Sequence, residues 1–182
     1  MKAYLRTFGC RANQYDTEAV RAMIEAAGGE IVATPEDADL AVFNSCAVTA
    51  AAEADLRQSV RRAARRAPAL RTVVMGCAAA RDDGTIAALP TVERVVPGGD
   101  LLGVAEAIGL SAPVLPPNVQ TGTRALLRIQ DGCDEHCTFC ATTLARGAAR
   151  SRSIVALVDE AERLADHHPE IVLTGIHIGH YG

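Results

Sequence analysis

The segment DLAVFNSCAVTAAAEADLRQSVRRAARRAPALRTVVM, residues 39–75, predicts two buried strands separated by a helix. DLAVFN (39–44) and TVVM (72–75) are short apolar runs of the kind found in buried strands. The alanine- and arginine-rich stretch from about Ala50 to Ala67 predicts a helix that ends at Pro68, because proline interrupts helices. Strands that alternate with helices indicate a parallel sheet with helical crossovers.

The same alternation continues on both sides of this segment. KAYLRTF (2–8) predicts a strand, and Asn13 or Asp16 is expected to cap a helix that stops at Gly28-Gly29. TVERVV (91–96) and LLGVAEAIGL (101–110) predict one further short strand and helix. We therefore expect residues 1–110 to form an α/β domain with a doubly wound parallel sheet.

A proline-rich stretch at residues 111–123 has little helical or strand periodicity and is interpreted as a linker. In residues 124–182 we expect a strand at ALLRIQ (125–130) and another at EIVLT (170–174), with a helix between them. The apolar face of that helix is predicted to hold Ile154, Leu157, Val158, Ala161 and Leu164. One β-α-β unit cannot close a barrel, so we expect the chain to stop before this second domain is complete.

Composition and charge restrict the class of protein. The 182 residues are 49% hydrophobic, enough for a substantial core, and the net charge of -4 makes no overall electrostatic case for nucleic acid. The start, MKAYLRTFGC, has no signal-peptide pattern, and no apolar run reaches the ~20 residues of a membrane span. We expect a cytoplasmic protein without a membrane partner. Because the cytoplasm is reducing, the six cysteines indicate metal or redox chemistry more than disulfide bonds.

Three cysteines, Cys10, Cys46 and Cys77, each follow a predicted strand by one to three residues. In a parallel sheet these loops emerge at the carboxyl edge, where open α/β folds bind ligands. Three converging thiolates suit an iron-sulfur cluster and leave one iron free for an exogenous ligand. The alternative, that each is a small buried apolar residue, stays open.

The second cysteine triplet lies in DGCDEHCTFC, residues 131–140. Its glycine allows a tight turn, and Cys133, Cys137 and Cys140 are spaced to hold three corners of a 4Fe-4S cube. Zinc is the main competitor, but a structural zinc site needs four ligands, and His136 is the candidate fourth. The spacing favours a cluster.

These residues resemble the radical S-adenosylmethionine superfamily and, within it, the methylthiotransferases. The first part resembles that family's cluster-binding domain through GCRANQYDTE, FNSCAVTAAAEAD and VVMGCAA. The second part resembles the start of the radical domain through DGCDEHCTFC, RGAARSRS and EIVLTGIHIGHYG. NQYDTE, the Ala-Val-Thr after the second cysteine and the TGIHIGHYG ending look most like the branch that acts on threonylcarbamoyladenosine beside the tRNA anticodon.

The resemblance implies two 4Fe-4S clusters. Cys133, Cys137 and Cys140 match the ligands of the cluster that cleaves S-adenosylmethionine, and Cys10, Cys46 and Cys77 match those of an auxiliary cluster that carries the inserted sulfur. The resulting 5'-deoxyadenosyl radical would act on carbon 2 of the adenine ring. The implied partners are tRNA and an electron donor such as flavodoxin.

Several other residues are candidates for binding. Thr174 and Gly175, at the end of a strand, are expected to touch S-adenosylmethionine, although a strand-end Thr-Gly is also a common turn. Arg146, with Arg150 and Arg152, is expected to face this cofactor or tRNA phosphates, or else to lie on a solvated loop. Asn13 is expected to border the auxiliary cluster, or only to cap its helix.

Two departures from the family pattern leave alternatives open. Ala141, Thr142 and Thr143 stand where the family has an aliphatic pair and a proline. The family also continues through the rest of a barrel and a small RNA-binding domain, so the chain resembles an amino-terminal fragment. The alternatives are a non-catalytic iron-sulfur or zinc-binding fragment, or a methylthiotransferase for isopentenyladenosine tRNA or a ribosomal-protein aspartate.

Overall fold

The computed structural model of the protein describes residues 1–47, 49–111, 116–135, 137–138 and 140–182. Five parallel strands form the larger sheet, in the order β2-β1-β3-β4-β5. Their bounds are β1 Lys2–Thr7, β2 Glu30–Ile31, β3 Leu40–Ser45, β4 Arg71–Gly76 and β5 Val92–Pro97. The predicted doubly wound parallel sheet is confirmed. The sequence pattern did not indicate β2, because two residues are too few to show a periodicity.

Helices cover both faces of this sheet. They are α1 Arg11–Ala26, α2 Ala50–Arg66 and α3 Leu101–Ala107. Leu40 and Val42 of β3 pack in one apolar core with residues of α1 and α3, whereas Ala41 and Phe43 pack in a second core with residues of α2. Because side chains alternate across a strand, a strand covered on both faces is apolar throughout, as β3 is.

The predicted start of α1 is wrong by one turn. Cys10, not Asn13 or Asp16, is the N-cap residue, and its side chain makes no capping hydrogen bond. Asn13 and Asp16 lie inside the helix and are completely buried. Their polar groups are bonded to distant parts of the chain, which sequence spacing cannot show. The predicted end is confirmed: α1 stops at Ala26, just before the two glycines.

The second part of the chain contains the predicted β-α-β unit, formed by β6 Arg124–Arg128, α5 Ile154–Ala165 and β9 Glu170–Thr174. Three short elements that the sequence pattern did not predict lie between β6 and α5: β7 Gln130–Asp131, α4 Thr142–Arg146 and β8 Arg150–Ser151. Strands β6 and β9 pair in parallel, and β7 pairs with β8 in an antiparallel ladder. On α5, Leu157 and Leu164 are buried, but Ile154 and Val158, predicted to share that apolar face, are exposed. The two-stranded sheet is too narrow to cover the whole face.

The described part of the predicted linker, residue 111 and residues 116–123, contains no helix or strand, and residues 112–115 lie outside the described residues. Gln120 is buried and exchanges two hydrogen bonds of 2.8 Å with the backbone of Leu126. The division into domains at 1–110 and 124–182 stays a prediction. No helix within the described ranges has the length and apolar composition needed to cross a membrane.

Candidate metal centre

Three loops at the carboxyl edge of the larger sheet carry the first cysteine triplet. Cys10, Cys46 and Cys77 follow the ends of β1, β3 and β4. Gly9 has φ +115°, and a Cβ atom added to it would lie 2.7 Å from Cβ and 3.0 Å from Sγ of Cys46. A side chain at position 9 would therefore overlap Cys46, and glycine allows the Cys10 loop to approach it.

The side chain of Asn13 lies between two of these cysteines. Its Oδ1 accepts hydrogen bonds from Sγ of Cys10 at 3.4 Å and, more weakly, from Sγ of Cys77 at 3.9 Å. Its Nδ2 donates to Oδ1 of Asn44 at 2.9 Å and to the Ser45 carbonyl at 2.7 Å. These bonds to β3 orient the amide so that its oxygen faces the thiols.

The three cysteines converge in the fold. Sγ of Cys10 and Sγ of Cys77 both contact Asn13 Oδ1, and Gly9, next to Cys10, packs against Cys46. Burial raises the pKa of Cys77, while the positive charge of Arg146 opposes that shift.

The surroundings of this triplet fit an iron-sulfur cluster. Arg146 Nε is buried and has no hydrogen-bond partner among the described residues, although Arg146 Nη2 and Cys77 Sγ both contact Asn13 Oδ1. A buried donor without an acceptor is costly, and thiolate-bound clusters offer sulfur acceptors.

The second triplet lies in the loop after β7. The N–H of Cys140 donates to the Cys137 carbonyl at 3.1 Å, and the N–H of Cys133 donates to the Gly147 carbonyl at 3.0 Å. Gly132 has φ +72°, and an added Cβ would lie only 2.0 Å from the Ala148 carbonyl oxygen. The chain can therefore turn into Cys133 only with glycine at 132. His136, considered above as a zinc ligand, lies outside the described residues.

Gln130 supports this loop and was missed by the sequence analysis. Its completely buried amide donates to the carbonyls of Asp131 at 3.1 Å and Gly132 at 2.7 Å. Its Oε1 accepts from the N–H groups of Ile176 at 3.1 Å and His177 at 2.8 Å. Gln130 thus joins the start of the cysteine loop to the loop after β9. The available signal was a polar residue at the end of an apolar strand.

Thr174 and Gly175 are predicted to bind S-adenosylmethionine. Thr174 is the last residue of β9, and Gly175 begins the loop that Gln130 holds. Thr174 is buried, and its carbonyl accepts from the Ile129 N–H at 2.9 Å. A Cβ on Gly175 would lie 3.0 Å from the Gln130 carbonyl oxygen. Both residues are therefore near the second cysteine loop, and their contact with the cofactor stays a prediction.

Arg146, the third residue predicted to bind S-adenosylmethionine, extends toward the first triplet. Nη2 donates to Asn13 Oδ1 at 3.0 Å and to Asp16 Oδ2 at 2.8 Å, and Nη1 donates to Asp131 Oδ1 at 3.1 Å. The side chain is completely buried. Burial disfavours its charge, but the carboxylates of Asp16 and Asp131 outweigh that effect, so the pKa of Arg146 is raised. It does not lie on a solvated loop.

Further polar contacts join the two parts of the chain. Arg128 forms an ion pair with Asp16. Arg152 pairs with Glu160 and donates to the hydroxyl of Tyr15 at 3.2 Å, and that hydroxyl donates to Glu160 Oε1 at 3.0 Å. Arg150 is 67% exposed and only 3.9 Å from Asp131. Long-range pairs of this kind have no signature in sequence spacing.

The two cysteine triplets border one cavity. A space of about 390 Å³ is lined by Cys77 from the first triplet and Cys140 from the second, together with Ala47, Arg81 and Thr142. Cys140 Sγ lies 3.1 Å from Oγ1 of Thr142. Donation from the Thr142 hydroxyl and backbone N–H stabilises the Cys140 thiolate, so the pKa of Cys140 is lowered. Groups bound at the two triplets would therefore face a common space.

Histidines near Cys133 form a smaller group to which the sequence analysis gave no role. His177 Nδ1 lies 3.8 Å from Cys133 Sγ. Glu135, His177 and His180 bring one ligand atom each within 4.8 Å of one another. The i to i+3 spacing of the two histidines could have indicated this group, but the position of Glu135 depends on the fold.

Comparisons with known proteins agree with the sequence motifs. The family described as "Uncharacterized protein family UPF0004" matches residues 2–98. A threonylcarbamoyladenosine tRNA methylthiotransferase, MtaB of Bacillus subtilis, is 38% identical over 97% of the chain and 44% of its own length. A tRNA-2-methylthio-N(6)-dimethylallyladenosine synthase of Deinococcus radiodurans is 33% identical over 100% of the chain and 39% of its own length.

A third relative acts on protein. The ribosomal protein uS12 methylthiotransferase RimO of Roseiflexus sp. is 29% identical over 100% of the chain and 47% of its own length. The chain spans about half the length of the curated relatives it matches. The predicted resemblance to the methylthiotransferases, with the threonylcarbamoyladenosine branch among the relatives, is confirmed, and the chain belongs to the family UPF0004, matched over residues 2–98.

Proposed function

We propose that this chain carries both cluster sites of a tRNA methylthiotransferase that modifies carbon 2 of N6-threonylcarbamoyladenosine beside the anticodon. The observation that carries the proposal is the cavity of about 390 Å³ that Cys77 and Cys140 share. A reaction in which one centre activates the substrate and the other delivers sulfur requires both to face one space. Relatives named as threonylcarbamoyladenosine tRNA methylthiotransferases support the choice of substrate.

In the proposed reaction, Cys133, Cys137 and Cys140 would hold one 4Fe-4S cluster, and Cys10, Cys46 and Cys77 the other. When bound, these clusters supply the electron that cleaves S-adenosylmethionine and the sulfur that is inserted. Gln130 holds the Cys133 loop against the loop of Thr174 and Gly175, where the cofactor is expected to bind. Asn13 holds Cys10 and Cys77 around one oxygen atom.

Anaerobic reconstitution of the chain with iron and sulfide tests the cluster sites. Two 4Fe-4S clusters require about eight irons per chain, and Cys46→Ala or Cys137→Ala should each reduce this to about four. Release of 5'-deoxyadenosine from S-adenosylmethionine would support the enzyme, with flavodoxin or a chemical reductant as electron donor. Zinc bound in place of iron would contradict the proposal.

The tRNA substrate needs a separate measurement. Nucleoside mass spectrometry of tRNA from cells without the gene should show threonylcarbamoyladenosine that has lost its methylthio group. If that nucleoside kept its methylthio group while isopentenyladenosine or the ribosomal-protein aspartate lost theirs, the chain would belong to another branch. A cytoplasmic location, where tRNA is available, is part of the proposal.

A non-catalytic zinc-binding role is the second candidate. The observation in its favour is the 3.8 Å distance from Cys133 Sγ to His177 Nδ1, which brings a nitrogen ligand to the second triplet. Cysteine and histidine together are common zinc ligands. Under this alternative, the chain would bind one zinc ion, lose it in His177→Ala, and fail to assemble iron at Cys133.

A further inference from the structure

Arg146 connects the two cysteine triplets. It is the last residue of α4, the helix that begins two residues after Cys140. Its guanidinium nevertheless lies against α1 of the first part of the chain, where Nη2 bonds to Asn13 and Asp16. A side chain from the second cysteine segment thus reaches the residue that separates Cys10 and Cys77.

The guanidinium is held in one orientation. Nη1 is bonded to Asp131 at 3.1 Å, while Nη2 is bonded to Asn13 at 3.0 Å and Asp16 at 2.8 Å. Asp16 is completely buried, so this ion pair is shielded from water. Because both Nη groups are bonded, the planar guanidinium cannot rotate to bring Nε to another partner.

Nε is the remaining donor, and it is buried without a partner among the described residues. The guanidinium and Cys77 meet at one acceptor: Asn13 Oδ1 lies 3.0 Å from Arg146 Nη2 and 3.9 Å from Cys77 Sγ. A buried donor left unpaired costs about 1–3 kcal/mol, which an acceptor at Cys77 would remove. A neutral thiol is a weak acceptor, whereas sulfur bound to iron carries negative charge.

We propose that Arg146 is a positioning residue for the Cys10, Cys46 and Cys77 site. Its Nη2 keeps Asn13 between Cys10 and Cys77, and its Nε–H donates a hydrogen bond to the Cys77 sulfur when that sulfur is an iron ligand. This inference rests on the proposed function, in which the first triplet holds a cluster. It gives Arg146 a role at the auxiliary site instead of at S-adenosylmethionine.

The reduction potential of the cluster tests this role of Arg146, because a residue that only stabilised the fold would not change that potential. Hydrogen bonds to the sulfurs and nearby positive charge raise the potential of an iron-sulfur cluster. Arg146→Gln removes the charge but keeps an amide donor. Arg146→Lys keeps the charge, without the planar fork that bonds Asn13, Asp16 and Asp131 together.

The experiment uses the full chain with Cys133→Ala, Cys137→Ala and Cys140→Ala, so that only the first triplet binds iron. After anaerobic reconstitution, this background should hold about four irons per chain. We expect Arg146→Gln to lower the midpoint potential of that cluster in a titration followed by electron paramagnetic resonance. Arg146→Lys should lower it less and should keep the chain folded, as measured by circular dichroism.

The matched control is Arg124→Gln, which removes an exposed arginine that pairs with Glu170 at 3.1 Å and should leave the potential unchanged. An unchanged potential and iron content in both Arg146 variants would overturn the inference while leaving the cluster site intact. Equal shifts in the Arg124 and Arg146 variants would also overturn it. Absence of iron from the background itself would instead refute the proposed function, and the inference with it.

Discussion

Arg146 Nη2 lies 2.8 Å from Asp16 Oδ2, and the two side chains, 130 residues apart in sequence, are both completely buried. Asp16 lies in α1 and also pairs with Arg128. One carboxylate of α1 therefore pairs with two arginines from the second part of the chain. Breaking a buried ion pair leaves the remaining charge without compensation. The contact between the two parts therefore depends on Asp16.

Asp16→Asn should reduce the free energy of unfolding by about 3 kcal/mol, because Arg128 and Arg146 lose one of their two shared counter-charges and keep only Asp131. Urea unfolding measures the change. The control is Glu93→Gln, which removes an exposed ion pair of 2.9 Å with Arg71 and should cost less than about 1 kcal/mol. Similar losses in both variants would contradict the importance assigned to the buried pair.

Gln130→Leu should impair the second cluster site more than it impairs folding. The variant leaves the N–H groups of Ile176 and His177 without their acceptor, so both loops around Cys133 should loosen. The matched control is Gln120→Leu, because Gln120 is also a buried amide that bonds to the backbone but contacts neither loop. We expect comparable losses of stability, about 1–3 kcal/mol, but lost iron only in the Gln130 variant. Equal iron contents in the Gln130 and Gln120 variants would refute the role of Gln130 at the second cluster site.

Gly132→Ala should prevent assembly of the second cluster, because its Cβ would meet the Ala148 carbonyl at 2.0 Å. Gly147→Ala is an unusually close control. Both glycines have φ +72°, but a Cβ on Gly147 meets nothing within 4 Å. At φ +72° and ψ −162°, a region that other residues rarely adopt, the control should show only backbone strain of about 1–3 kcal/mol and bind iron normally. Iron and sulfide analysis after reconstitution separates the two results, and normal assembly in Gly132→Ala would contradict the steric argument.

Thr142→Val should lower the midpoint potential of the second cluster. Oγ1 of Thr142 bonds to Cys140 Sγ at 3.1 Å, and a hydroxyl beside an iron-bound sulfur would donate to it. Such hydrogen bonds raise cluster potentials, and valine removes the donor without changing the shape of the side chain greatly. Thr142→Ser keeps the hydroxyl and should keep the potential. A redox titration in which the valine and serine variants coincide would refute the prediction.

The free energy of unfolding should fall at alkaline pH because of Tyr15. Burial and then the charge of Glu160 raise the pKa of Tyr15 above its ordinary value of about 10. The folded state holds this proton more tightly than the unfolded state does. The resulting stability is therefore present below about pH 10 and is lost as the pH rises further.

Tyr15→Phe should remove that part of the pH dependence, as measured by urea unfolding between about pH 8 and pH 11. Tyr181→Phe is the control, since it deletes a half-buried hydroxyl that donates to the Arg152 carbonyl at 2.9 Å and does not contact Glu160. The control should keep the alkaline loss of the parent chain. An unchanged alkaline slope in Tyr15→Phe would contradict the prediction.

Sequence reasoning was sufficient where structure depends on local patterns. Runs such as those around Val42 and Val73 predicted the buried strands, and the position of each cysteine just after a strand predicted that Cys10, Cys46 and Cys77 share one edge. Parallel strands place their carboxyl ends together whatever the side chains between them are. The start of α1 was wrong because the polar groups of Asn13 and Asp16 bond outside the helix.

By itself, the sequence determined the order of the longer strands and helices, the two cysteine triplets and the resemblance to the methylthiotransferases. Only the tertiary structure decided that Arg146 turns toward the first triplet and that Gln130 holds the second. Buried polar groups need partners, and in a folded chain those partners come from whichever segments pack together. Asp16 and Arg146 are separated by 130 residues, so no periodicity or spacing records their contact.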